Sequence, residues 1–118
     1  MDDKTIEELK AAGIDVEGAR NRFMGNLDML ERFLKKFLAD NNYTALADAM
    51  EAGETQAAFN AAHTLKGVCG NLSLTPLYEA VSDITELLRA GDIEGASPIL
   101  PRVGDEYEKM KAVISRLE

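Results

Sequence analysis

Apolar residues recur at intervals of three and four along almost the whole chain, and this spacing limits the possible fold more than any other feature. The segment from 27 to 38 shows the spacing most clearly. Its apolar stripe is formed by Leu27, Leu30, Leu34, Phe37 and Leu38. A period of about 3.6 residues places such side chains on one face of an α-helix, whereas a half-buried strand needs strict alternation. The sequence therefore predicts an all-α protein.

Cap and turn residues divide this pattern into several helices. The first predicted helix runs from Lys4 to Ala12 and is closed by Gly13, the second is capped by Asp15 and runs through Phe23, and the third is capped by Asn26. A short helix ending at Gly53 follows, and then a long one from about Glu54 to Asn71. The next helix has Thr75 as N-cap and Pro76 at N1 and stops at Gly91, and the last has Pro98 in its first turn, with Pro101 delaying or kinking its start. Short connections favour antiparallel neighbours. We expect an antiparallel up-and-down four-helix bundle with additional short N-terminal helices, forming a single domain over residues 1–118.

Composition restricts the classes of function that this chain can serve. Its 118 residues carry a formal net charge of -8, which disfavours nucleic acid and anionic membrane surfaces as partners. One cysteine forms no internal disulfide and suits a reducing cytoplasm. With one cysteine and one histidine there is little to build a zinc site, and no metal or cofactor is predicted. We expect a cytoplasmic monomer, because a bundle of this kind closes its own core.

The stretch AAHTLKGVCGNLSL, residues 61–74, holds the single histidine, His63. At about 100° per residue the apolar side chains of this helix gather on the face away from it. That predicted core face consists of Ala58, Ala61, Ala62, Leu65, Val68, Cys69 and Leu72. The face of His63 is predicted to include Lys66, Gly67 and Gly70 on later turns, and Phe59 and Gln56 on earlier ones.

Two glycines inside a helix each cost about 1 kcal/mol relative to alanine. On the face of His63, the absence of side chains at Gly67 and Gly70 predicts that something else approaches the imidazole. The alternatives are that a neighbouring helix fills this space and that His63 is an ordinary surface or core histidine. Phe59 similarly has two readings, as part of a docking surface or as a side chain tucked against a neighbouring helix.

Nucleophilic transfer is the chemistry that best fits an exposed histidine beside a lysine. A neutral imidazole has one unprotonated nitrogen, which can attack phosphorus without a dedicated base. Lys66 could balance the negative charge of the phosphoryl group. Cys69 lies about 240° round the helix from His63, so a Cys–His pair is not expected and Cys69 is predicted to fill the core.

The run His63-Thr64-Leu65-Lys66-Gly67 followed by small residues and Leu72-Ser73 resembles the histidine-containing phosphotransfer (HPt) domain family of bacterial phosphorelays. The family pattern is approximately His-x-Leu-Lys-Gly, then small residues and a Leu-Gly pair. Other stretches also fit: the upstream GIDVEGARNRFMGNLDMLERFLKKFL, LLRAGD after the next helix and EYEKM in the last. The likeness therefore extends over nearly the whole chain.

The resemblance implies a four-helix bundle that is a phosphocarrier and not an enzyme. It implies that His63 accepts a phosphoryl group from an aspartyl phosphate of a receiver domain, or from a kinase, and passes it to another receiver. Lys66 would stabilise the phosphate, Gly67 would give access, and the partners would be receiver domains of response regulators or hybrid histidine kinases. The chain departs from the family pattern at Ser73, which replaces a glycine, and at Val68-Cys69, which replace a Ser/Ala pair.

Two alternatives to a phosphocarrier remain at this point. One is a helical adaptor that binds receiver domains without transfer, which would not need His63 or Lys66. The other is the excised phosphoacceptor module of a larger histidine kinase. A true enzyme would need more polar groups converging on His63 than the sequence offers.

Overall fold

The computed structural model describes residues 1–117 and is all-helical over that range. Its helices are α1 (Asp3–Ala11), α2 (Val16–Arg22), α3 (Leu27–Phe37), α4 (Asn42–Glu51), α5 (Thr55–Leu72), α6 (Thr75–Arg89), α7 (Ile93–Ala96) and α8 (Leu100–Ile114), with a 3-10 turn at Ser97–Ile99. The all-α prediction is confirmed. No helix in the described part of the chain is long and apolar enough to cross a membrane.

The bundle consists of α5, α6 and α8 together with α3 and α4. Both α3 and α4 contact α5 and α8, and Tyr107 of α8 packs against Phe37 at the end of α3 and Tyr43 at the start of α4. The two helices therefore follow one another along a single corner of the bundle. Helices α5 and α6 are antiparallel, since Gly70 lies near Tyr78 whereas Phe59 lies near Arg89.

The predicted caps explain most of the helix boundaries. The Asp15 carboxylate accepts the backbone N–H of Gly18, and the Asn26 side chain accepts that of Met29, so both residues cap helices as predicted. Gly13 and Gly91 take left-handed backbone angles, with φ of 98° and 79°, just after the helices they end.

The start of α6 differs from the prediction by one residue. Thr75 is the first helical residue and Leu74 occupies the N-cap position. The Thr75 hydroxyl donates to the backbone carbonyl of Ser73, at 3.3 Å, so it caps no N–H of the helix. The prediction that Thr75 is the N-cap is therefore wrong, because the helix already includes Thr75 and its hydroxyl bonds to the preceding turn.

The last predicted helix begins later in the structure, and a short helix that was not predicted precedes it. The short α7 is capped by Asp92, Pro98 lies in the 3-10 turn, and Pro101 lies in the first turn of α8. A proline there removes an N–H that would have no helical partner. The prediction that Pro98 lies in the first turn of the last helix is therefore wrong: α8 begins at Leu100, after the 3-10 turn, and Pro101 occupies its first turn instead.

Candidate functional site

Helix α5 buries one face and exposes the other, as its pattern predicts. Its buried residues are Ala58, Ala61, Ala62, Leu65, Cys69 and Leu72. The small alanines let α4 and α6 pack closely on either side of this helix, and His63 points away from them and is exposed. Val68, predicted on the core face, is only partly buried, because it lies at the edge where α5 meets α3.

The imidazole of His63 stacks on the ring of Phe59, one turn earlier. The two ring centroids are 5.7 Å apart and the planes are inclined by 21°. The guanidinium of Arg89, the last residue of α6, lies over the Phe59 ring with its carbon 5.0 Å from the centroid. Phe59 is thus half-buried and packs against a neighbouring helix, and its role in docking stays a prediction. Sequence reasoning missed Arg89, although an antiparallel α5–α6 hairpin brings the end of α6 to the start of α5.

Lys66 provides positive charge one turn after His63. Its side chain is partly buried, and its ammonium nitrogen lies 6.0 Å from the centroid of the Tyr78 ring of α6. Among the described residues Lys66 has no carboxylate within ion-pair distance. Its charge is therefore not neutralised by an acidic partner within residues 1–117.

The two glycines of this face differ in their surroundings. A Cβ added at Gly67 would meet no atom within 4 Å, apart from its own helix backbone. A Cβ added at Gly70 would lie 3.2 Å from the Tyr78 ring. Gly70 therefore makes room for a side chain of α6, which agrees with the alternative that a neighbouring helix fills the space beside this glycine. Gly67 leaves open surface beside His63.

Gln56 is exposed two turns before His63 and takes part in a local polar network. Its amide donates to the Asn60 side chain at 3.0 Å, and the Thr64 hydroxyl donates to the Asn60 backbone carbonyl at 3.0 Å. These bonds run along the outside of α5. Gln56 borders the face of His63 and makes no hydrogen bond to the imidazole.

Ser73, which stands where the family pattern has glycine, adopts the left-handed conformation with φ 54° and ψ 40°. Glycine takes this conformation without steric cost, so the family pattern has a clear backbone reason. Here the Ser73 hydroxyl accepts a hydrogen bond from Arg22, and its carbonyl accepts the N–H of Asp15 at 2.9 Å. Ser73 thus joins the end of α5 to α2 and does not cap α6.

An apolar groove adjoins the C-terminal half of α5. It has a volume of about 380 Å³ and lies between α5 and the α2–α3 corner. Phe23 and Phe33 both line it as a tilted ring pair with their centroids 5.2 Å apart, and Phe33 is 42% exposed. The sequence pattern placed Phe23 with the core and did not single out Phe33. Phe23 is partly buried and packs against the core, whereas Phe33 is exposed because α3 lies at the edge of the bundle.

Cys69 is fully buried, and its thiol is not suited to act as a nucleophile. Burial raises the pKa of its thiol to about 12, with a further contribution from the negative charge of Asp40. A thiol with this pKa stays protonated and unreactive at neutral pH. This agrees with the prediction that Cys69 fills the core.

The comparisons with known proteins bear on the family alone. The model of the Hpt domain matches residues 28–113 of this chain, which is most of its length. No curated protein and no solved structure matches it significantly. Hpt domains are four-helix bundles that act as phosphocarriers in phosphorelays and interact with receiver domains. The matched region contains α5 and the candidate site, and the chain belongs to the Hpt domain family.

Proposed function

We propose that His63 is the phosphoacceptor of this Hpt domain. In this proposal it takes a phosphoryl group from an aspartyl phosphate of one receiver domain and passes it to the aspartate of another. The observation that carries the proposal is the exposed imidazole on α5, with open surface at Gly67 and, at Lys66, an ammonium that has no ion-pair partner among the described residues. Exposure at this point suits a protein whose reaction partner is another protein's active site.

The transfer step needs little from this chain beyond positioning and charge. The lone pair of an unprotonated His63 nitrogen forms a bond to phosphorus as the bond from phosphorus to the aspartyl oxygen breaks. The carboxylate leaves with the electron pair, and the second imidazole nitrogen holds or releases its proton to solvent. Positive charge at Lys66 stabilises the equatorial phosphoryl oxygens while they carry the developing charge. The reverse sequence delivers the group to the next receiver.

Access at Gly67 is the second part of the proposal. A receiver must bring its aspartyl phosphate to within bonding distance of an imidazole nitrogen, so its surface must lie close to the α5 backbone. Gly67 supplies that clearance, and Gln56 borders the same face as a docking residue. We further propose that the chain acts as a monomer, since its core is closed by its own helices. We propose a cytoplasmic location because a single cysteine suits a reducing compartment.

A labelling experiment tests the assignment of His63. The protein is incubated with a receiver domain phosphorylated with radiolabelled phosphate, and the label on this chain is followed with time. We expect acid-labile, base-stable label on the wild type and none on His63→Gln, whose circular dichroism should be unchanged because His63 is exposed. Labelling of His63→Gln at the wild-type rate would overturn the assignment.

A further inference from the structure

Phe59 and Arg89 lie beside His63 and have no part in the transfer step described above. The Phe59 ring is stacked with the imidazole of His63, and the guanidinium of Arg89 also lies over the Phe59 ring. The side chain of Arg89 is also held by Glu86, whose carboxylate accepts from its Nε at 3.3 Å. Glu86, Arg89, Phe59 and His63 therefore form a chain of contacts that links the end of α6 to the imidazole.

This stack restrains an imidazole that no hydrogen bond within the described residues holds. Within residues 1–117 the His63 side chain makes no hydrogen bond, so no polar partner there fixes the orientation of its ring. Nearly parallel rings with centroids 5.7 Å apart have the geometry of a favourable aromatic pair. The Phe59 ring is held in its turn, because a guanidinium within about 6 Å of an aromatic centroid is attracted to its face.

The orientation of the ring matters for attack on phosphorus. The lone pair of an imidazole nitrogen lies in the ring plane, so the plane of the ring sets the directions in which it can attack. Stacking involves a face of the imidazole and not the edge that carries the nitrogens, and the residue His63 is exposed. Holding a reacting group in a productive orientation removes an entropic part of the barrier.

We propose, on the basis of the phosphotransfer function proposed above, that Phe59 is a positioning residue for His63 and that Arg89 acts through Phe59. The pair fixes the plane of the imidazole so that its nitrogen faces an incoming receiver. Neither residue touches the phosphoryl group. Loss of either one lowers the rate of transfer within the complex and leaves the affinity for the receiver unchanged.

The first measurement reports on the stack without any transfer. Proton NMR of the unphosphorylated protein gives the chemical shifts of the His63 ring protons, which a stacked phenyl ring displaces by its ring current. We expect that displacement to vanish in Phe59→Leu, to shrink in Arg89→Ala and to persist in Phe59→Tyr. Unchanged His63 shifts in Phe59→Leu would overturn the inference whatever the transfer rates.

The second measurement is the rate of transfer from a phosphorylated receiver at saturating and limiting receiver concentrations. We expect Phe59→Leu and Arg89→Ala each to slow the saturated rate by about two- to fivefold, as loss of an exposed cation–aromatic contact would. The apparent KM for the receiver should stay constant in both variants, and Phe59→Tyr should keep the wild-type saturated rate. A raised KM with a normal saturated rate would instead mean that Phe59 serves docking.

The double variant tests whether Arg89 acts through Phe59. If it does, Arg89→Ala has no further effect once Phe59 is Leu, whereas direct contact of Arg89 with the phosphoryl group makes the two losses multiply. Multiplication would overturn the proposed role of Arg89. Arg102→Ala is the matched control, since it removes another exposed arginine paired with an acid of α6, Asp83, and should change neither rate nor shifts.

These outcomes separate this inference from the proposed function. Absence of label on the wild type would refute phosphotransfer, while the NMR shifts would still show whether the stack exists. Normal transfer by the wild type together with normal transfer by Phe59→Leu would refute the positioning role alone.

Discussion

Replacing Gly67 should stabilise the protein and impair its function at the same time. Gly67 lies inside α5, where glycine costs about 1 kcal/mol relative to alanine. A methyl group there would meet no other atom within 4 Å. The full gain in helix propensity should therefore appear in Gly67→Ala, as a rise of about 1 kcal/mol in the free energy of unfolding. For a chain of this size that corresponds to about 3–6 °C in Tm.

Gly70 provides the matched comparison on the same face of the same helix. A methyl group there would lie 3.2 Å from the Tyr78 ring, so the ring must move before the gain in propensity is realised. We expect Gly70→Ala to gain clearly less than Gly67→Ala in thermal or denaturant unfolding. Equal gains in the free energy of unfolding for the two variants would show that the Tyr78 ring beside Gly70 has no effect on stability.

The functional cost of filling Gly67 depends on side-chain size. Gly67→Leu keeps most of the gain in helix propensity and adds a bulky side chain where the receiver must approach. We expect its transfer from a phosphorylated receiver to fall by at least about tenfold, which is about 1.4 kcal/mol of lost docking or transition-state energy. Ala112→Leu, which adds the same exposed side chain on α8, should transfer normally. Normal transfer by Gly67→Leu would refute the access argument.

Two further variants test the charge and the buried thiol. Lys66→Ala should slow phosphotransfer by about tenfold or more. It should change the free energy of unfolding by less than about 0.5 kcal/mol, because Lys66 makes no ion pair within the described chain. Transfer by this variant at the wild-type rate would show that Lys66 is not part of the site. For Cys69, the folded thiol stays protonated to about pH 12 while the unfolded thiol ionises from its ordinary value of 9.0. The native state then binds more protons, so stability falls as pH rises above about 9, by up to about 1.4 kcal/mol per pH unit. Denaturant unfolding between pH 7 and 10 should show a shallower decline in Cys69→Ala, and an identical decline would contradict the attribution to this thiol.

Local signals were enough to predict most of the helices and the exposure of His63, but not the short α7 or the 3-10 turn before α8. The three-to-four spacing, the caps Asp15 and Asn26, and the glycines after α1 and α6 each act within one or two turns, so they can be read without the fold. The placement of His63 opposite the buried face of α5 likewise needs only the geometry of a single helix. The resemblance to Hpt domains rested on the same local residues.

The neighbours of these residues were decided by the tertiary structure. On a helical wheel Gly67 and Gly70 look equivalent, and only the packing of α6 against α5 places Tyr78 beside one of them and open surface beside the other. The antiparallel arrangement of these helices also brings Arg89 to Phe59 across a long interval of sequence. Periodicity shows which face of a helix is buried, but it does not show which side chain of another helix covers a given position, because that depends on the register in which the helices pack.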